Sequence, residues 1–197
     1  MRSSRTPTRS RARWRDDPRA ATLLAMTTPA NTPSRRSASL VFVALALVTA
    51  GCDHAAKHVA REALGDGAVH AFLGGVARFE LVHNTGGFLS LGARLGPELR
   101  HAIFVFGAPA LIALFLAVSY RAALASRLAL SGLALVAGGG LANWADRLLN
   151  AGAVTDFVSL GVGPLRTGIF NVADVAIMLG AALLLLPTRA RSEPNDV

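Results

Sequence analysis

One cysteine, Cys52, occurs in 197 residues, which excludes a disulfide framework and any multi-cysteine zinc site. Charge is scarce as well, at 16% of residues against 52% apolar ones, and a chain this apolar is not a disordered one. Its length suits one compact domain. No internal repeat is evident, which counts against an inverted-repeat transporter. Acidic residues are nearly missing from the start: positions 1–38 hold nine Arg and two Asp, and carry almost all of the net charge of +8. The basicity belongs to a tail, while the body is close to neutral. Nucleic acid is therefore set aside as a partner.

What the body does have is long apolar runs. Ser37–Cys52 gives 16 uncharged residues, Ala102–Tyr120 gives 19, Leu128–Ala145 gives 18, and Gly168–Pro187 gives 20 broken only by Asp174. A membrane-spanning helix needs roughly 17–25 mainly apolar residues. The second and third runs qualify as they stand. The first qualifies if its helix continues through Asp53 and Lys57, and the fourth if the Asp174 carboxyl is accommodated inside the protein. A cleaved signal peptide would explain only the first. The expected spans are about 37–60, 102–120, 128–147 and 168–187.

Arginine placement sets the orientation. With the N-terminus cytoplasmic, thirteen Lys and Arg fall inside and seven outside. The expected fold is thus an α-helical integral membrane protein with four transmembrane helices and both termini cytoplasmic. Residues 1–36 read as a basic disordered tail, possible to omit if translation starts at Met26. The membrane domain covers 37–188, and 189–197 form a short cytoplasmic tail. Between helices one and two, the alternating stretch Val76–His83, bounded by Gly74-Gly75 and Gly86-Gly87, predicts a short strand in a small extracytoplasmic β-containing region.

Polar residues collect at the outer ends of the runs: Asp53, Asp146, Asp156 and Asp174, with Asn84, Asn143 and Asn171. Charge beside a spanning helix is costly and marks function by default. Asp53 and Lys57, at i,i+4, suit a local ion pair that anchors a helix end. Asn143 shares a helix face with Asp146 and Arg147, a cluster equally suited to structure or to holding a substrate backbone. Gly138-Gly139-Gly140 upstream permits close approach of a neighbour. Asp156 and Asp174 differ from the other acids, because neither has a Lys or Arg within four residues. Three roles fit them: catalysis by two carboxylates sharing a proton, proton or ion relay through Asp174 in a small transporter, or structure.

Two weaker signals are discounted. His54 and His58 lack the glutamate of a zinc-peptidase helix, and Lys57 between them opposes a cation. Val48-Thr49-Ala50-Gly51-Cys52 resembles a lipid-attachment box, but Thr49 stands where an aliphatic residue is usual. Cys52 is expected to be a buried helix residue.

Together these segments resemble the lipoprotein signal peptidase (signal peptidase II) family over roughly Leu40–Leu186. Asp53-His54-Ala55-Ala56-Lys57 is similar to its D-x-x-x-K, and Asn84-Thr85-Gly86-Gly87-Phe88-Leu89-Ser90 to its N-x-G-x-x-x-S. The run from Gly138 to Arg147 is similar to G-G-x-x-x-N-x-x-D-R. Val154-Thr155-Asp156-Phe157 and Phe170-Asn171-Val172-Ala173-Asp174 are similar to V-x-D-F and F-N-x-A-D. Gly87-Phe88 departs from the family, which commonly has Ala-Ala or Ala-Phe there.

The resemblance implies a membrane aspartic endopeptidase of the bacterial inner membrane, with its active site at the extracytoplasmic face. Its substrates would be prolipoproteins carrying a diacylglyceryl cysteine, cut just before that cysteine, with membrane lipids as further partners and no metal or cofactor. It implies Asp156 and Asp174 as the catalytic pair, and Asn84, Gly86, Asn143, Arg147 and Asn171 as substrate-binding residues. Asp53, Lys57 and Asp146 would be the structural support. The Arg-rich residues 1–36 lie outside the family pattern.

Overall fold

The computed structural model describes residues 34–87, 92 and 94–187. The expected basic tail up to residue 33, the motif residues Phe88–Ser90 and the tail 189–197 lie outside the described residues. Four helices carry the described part: α1 (Arg35–Ala63), α2 (Pro97–Ala123), α3 (Arg127–Leu149) and α4 (Val172–Leu185). The first three have 29, 27 and 23 residues and are long and apolar enough to cross a membrane.

The fourth apolar run is helical over only 14 residues, or ~21 Å at 1.5 Å per residue. Its start is fixed by Asn171, whose side chain accepts the N–H of Asp174 at 3.0 Å. Asp174 in turn accepts the Asn171 N–H at 3.3 Å. This reciprocal capping box follows a bridge from Phe170 to Val158, so residues 168–170 belong to the sheet region and not to the expected span.

Both ends of α2 outrun the expected 102–120, and its turn Ala102–Gly107 is π-helical. Pro109 accounts for the irregularity, since it has no N–H for the carbonyl of Val105 four residues back. Trp144 of α3 supplies that donor, its indole Nε1 lying 3.0 Å from the Val105 oxygen.

Four strands form one antiparallel sheet in the order β1 (His70–Phe72), β2 (Ala77–Asn84), β3 (Val154–Val162) and β4 (Leu165–Arg166). The strand expected at Val76–His83 is β2, displaced by one residue. The β region is not confined to the connection between helices one and two, because β3 and β4 come from the connection between α3 and α4. Four consecutive residues, Val154 to Phe157, are buried. A strand covered on both faces shows no alternation for the sequence to reveal.

Helix α3 packs against α1, α2 and α4. The glycine run makes this possible. A Cβ on Gly138 would come within 2.5 Å of the Ala46 carbonyl on α1, and one on Gly139 within 2.5 Å of the Ala173 carbonyl on α4. Backbone therefore meets backbone on both sides of α3, as small residues allow in packed membrane helices. At another level of the bundle, Ala38, Ala123, Leu130 and Leu133 form a buried cluster with Phe42 and Tyr120 beside it. The Tyr120 hydroxyl there donates to Ser39 Oγ at 2.8 Å. Cys52, expected inside, is exposed. Asp53 and Lys57 take the inward face of α1, which leaves Cys52 on the outward side.

Candidate active site

Pairing between β2 and β3 sets the first part of the site. Asn84 lies opposite Val154, and Asp156 lies opposite Val82. Asn84 and Asp156 are therefore diagonal neighbours on one sheet face, within reach of each other's side chains. Asn84 Nδ2 donates to Asp156 Oδ2 at 2.9 Å, and also to the Gly87 carbonyl at 3.1 Å. Its Oδ1 accepts the Gly86 N–H at 2.9 Å. One asparagine thus both shapes the turn after β2 and holds a carboxylate.

The bridge from Val158 to Phe170 then delivers the start of α4 to the same place. Asn171 Nδ2 donates to Asp156 Oδ1 at 2.7 Å and to Asn143 Oδ1 at 3.1 Å. Asn143 Nδ2 donates to Asp174 Oδ1 at 2.9 Å. Asp156 and Asp174 are joined through two asparagines and line one cavity of about 210 Å³ with Asn84, Asn143 and Arg147. Among the described residues no Lys or Arg forms an ion pair with either acid. Burial pushes the Asp156 carboxyl up to about 6; the hydrogen bond from Asn84 works against that rise and the nearby charge of Asp174 adds to it.

Behind the cavity sits a buried charge cluster. Lys57 Nζ is 2.6 Å from Asp53 Oδ2 and 3.0 Å from Asp146 Oδ2, with all three residues at most 3% exposed. It also donates to Asn143 Oδ1 at 3.1 Å. The expected local pair of Asp53 and Lys57 is one edge of a larger arrangement. Asp53 accepts the Ala173 N–H at 2.7 Å, one of the free donors of the first turn of α4. Asp146 accepts the Thr155 N–H at 2.9 Å, one residue before Asp156. The cluster thereby fixes the backbone beside both cavity acids.

Arg147 takes carbonyls and not carboxylates: its guanidinium donates to Gly86 O at 2.8 Å and to Asn143 O at 3.2 Å. Gly86 enters the site through this carbonyl. Arg61 was not singled out from the sequence. It donates to Asp146 Oδ1 at 3.1 Å and to Thr155 Oγ1 at 2.8 Å. Only its i,i+4 spacing from Lys57 on α1 hinted that it faces the same way.

The chain matches the family model for signal peptidase (SPase) II over residues 44–189. It belongs to the signal peptidase II family. The lipoprotein signal peptidase of Hydrogenovibrio crunogenus is 34% identical over 76% of this chain and 86% of its own length. That of Aquifex aeolicus is 34% identical over 55% of this chain, and that of Photorhabdus laumondii 39% identical over 42%. These last two alignments span 63% and 49% of the relatives' lengths. A solved bacterial membrane enzyme shares the fold, with a TM-score of 0.63 at 20% identity over 74% of this chain and 85% of its own. A second has a TM-score of 0.61 at 21% identity over 74% of this chain and 90% of its own. With three apolar helices of spanning length, this signal peptidase II family member is a multi-pass membrane protein.

Proposed function

We propose that the protein is a lipoprotein signal peptidase working as an aspartic endopeptidase. It removes signal peptides from prolipoproteins at the outer face of the bacterial cytoplasmic membrane, cutting before a diacylglyceryl cysteine. One observation carries the catalytic type: Asp156 and Asp174 line the same small cavity, held by asparagines and, among the described residues, in no ion pair with a Lys or Arg.

Two carboxylates so placed share one proton, because a second ionisation must overcome both burial and the first charge. The ionised member takes a proton from a water as its oxygen attacks the scissile carbonyl. The protonated member gives its proton to the carbonyl oxygen. Collapse of the tetrahedral intermediate breaks the C–N bond: the leaving amine takes up the proton drawn from the water, and a hydroxyl of the intermediate returns its proton to the other acid, which restores the dyad. Asn84, Asn143 and the Gly86–Arg147 pair offer donors and acceptors to an extended substrate backbone, whose polar groups need partners at membrane depth, while the buried Asn171, its amide hydrogens spent on Asp156 and Asn143, acts by orienting them. Buried acyl chains of the substrate add binding energy of ~0.8 kcal/mol per CH₂.

In the same reading α4 and its flanks make the fourth crossing, residues 37–188 are the peptidase domain, and both termini are cytoplasmic. Asp53, Lys57 and Asp146 serve as support. Family membership does not favour the alternative of ion-coupled transport through Asp174. The test is cleavage of a diacylglyceryl-modified prolipoprotein by the purified protein in detergent, beside Asp156→Asn and Asp174→Asn. The parent alone should cut, and equal cutting by all three would refute the dyad.

A further inference from the structure

Between the end of α3 at Leu149 and the start of β3 at Val154 the chain turns within residues 150–153. Ala151 and Gly152 there have positive φ, of 51° and 88°. Glycine adopts such angles freely and alanine rarely does. Ala151 is therefore strained, and a strained residue keeps its place only where its surroundings fix it. Asp156 follows shortly in β3, so relaxation of this turn would carry the acid with it.

Asp146 and Arg61 supply that fixing. Asp146 Oδ1 accepts from Asn150 Nδ2 at 3.2 Å, inside the turn, and from Arg61 Nη2 at 3.1 Å. Its Oδ2 accepts the Thr155 N–H at 2.9 Å, just beyond the turn. The same Nη2 of Arg61 closes the ring by donating to the Thr155 hydroxyl at 2.8 Å. Thr155, fully buried and next to Asp156, is thus held by main chain and side chain at once. Lys57 bonds to Asp53, Asp146 and Asn143, whereas Arg61 reaches from α1 to β3 itself. Removing Arg61 leaves Lys57 on Asp146, so no buried carboxylate is stranded and the change falls on position.

From this geometry we propose that Arg61 is a positioning residue for cleavage: it locks Thr155 to Asp146 and so fixes where β3 presents Asp156 in the cavity. It acts through the strand and not on the reacting atoms. Arg61 lies beyond the D-x-x-x-K stretch, and Thr155 fills the variable place of V-x-D-F, so the family pattern asks for neither. The inference rests on the peptidase reading above and deepens it.

The experiment uses the full chain in detergent with a diacylglyceryl-modified prolipoprotein, with rates taken per folded protein well below the melting temperature. Arg61→Met should lower kcat at least about tenfold with KM within about twofold, inside the roughly hundredfold loss that a misplacement of about 1 Å can cause. Thr155→Val keeps the N–H bond to Asp146 and should lower kcat in the same direction, while Thr155→Ser keeps the hydroxyl and should restore most of the rate. Arg61→Met/Thr155→Val should lose no more than Arg61→Met alone, since the two residues share one bond. Ala151→Gly should return part of the rate to Arg61→Met, because an unstrained turn keeps its path without the clamp. Hydrogen exchange gives a readout that needs no cleavage: Arg61→Met should speed exchange across residues 151–157 and leave α4 near the parent. A parental kcat in Arg61→Met, full additivity in the double variant, or unchanged exchange across 151–157 overturns the proposal. So does a raised KM at unchanged kcat, which would put Arg61 on the substrate. If the parent itself cuts nothing, the peptidase reading falls and the role in cleavage with it, while the exchange data still decide whether Arg61 fixes β3.

Discussion

Asn171 reaches the two acids of the cavity by different atoms. Its Nδ2 is 2.7 Å from Asp156 Oδ1, while its Oδ1 accepts the backbone N–H of Asp174 at 3.0 Å. The residue that starts α4 is thus also the one that orients the acid on β3. Asn171→Ala removes both roles. The lost cap should cost about 1 kcal/mol of stability, read as a lower melting temperature. Cleavage should fall further than the melting shift explains, because Asp156 then loses a donor and Asn143 loses a partner. Asn171→Ser retains a capping oxygen but is too short to reach Asp156. It should recover the melting temperature and not the rate, and recovery of both would reduce Asn171 to a cap.

Lys57 ties α1 to α3 by charge, and through their two acids to α4 and β3. It sits 2.6 Å from Asp53 and 3.0 Å from Asp146, and those acids accept N–H groups from α4 and β3. Lys57→Met leaves the buried Asp53 without a cation and Asp146 with Arg61 alone, and breaking a buried pair in this way typically costs about 3–5 kcal/mol. The expected result is loss of folded protein in detergent, measured by monodispersity and thermal unfolding. Adding Asp53→Asn to Lys57→Met removes one stranded charge and should restore part of the folded yield. If Lys57→Met alone keeps full yield and loses only activity, the lysine acts on the substrate and not as a strut.

How far the sequence went depends on what each residue had to reveal. Asp156 and Asp174 stood out because an acid in an apolar run with no nearby cation is anomalous by itself. Asp53, Lys57, Asn143, Asp146 and Arg147 announced themselves by spacing on two helices. What stayed hidden was long-range. Arg61 bonds to residues 85 and 94 positions away, and no local pattern encodes that. Strand β3 was missed because Val154–Phe157 is buried on both faces and does not alternate. The short α4 was misjudged because hydropathy counts apolar residues, whereas the capping box at Asn171 decides where the helix begins. The π-helical turn had a visible cause in Pro109, but its consequence depends on Trp144 from another helix.

The raised pKa of Asp156 gives a signed prediction. A carboxyl whose folded value is about 6 binds a proton in the folded state between its ordinary value and 6, where the unfolded chain has released it. Stability from this group is therefore present at low pH and falls as pH rises through that window. Cleavage should decline on the alkaline side of about pH 6, as the dyad loses its shared proton. The hydrogen bond from Asn84 lowers this pKa, so Asn84→Ala should move the alkaline limb of the pH–rate profile upward. A limb that stays in place, or moves down, would mean that another group controls it.

Topology can be read with the protein's single cysteine removed. Cys52→Ser gives a background without thiols, and two exposed positions on opposite sides of the proposed arrangement then take a reporter. Leu165, 82% exposed in the β3–β4 hairpin, should label as Leu165→Cys with a membrane-impermeant thiol reagent added to whole spheroplasts. Ala125, exposed in the turn between α2 and α3, should label as Ala125→Cys only after the membrane is permeabilised. With Ala125 inside, the N-terminus before α1 must also be inside, since α1 and α2 cross in succession. The fate of the C-terminus depends on α4, whose 14 helical residues are short for a bilayer core of ~30 Å. A cysteine appended after Val197 should remain protected in spheroplasts if α4 and its flanks cross. Labelling there without permeabilisation would leave α4 as a half-membrane helix that caps the cavity from the outer side, with three crossings and not four.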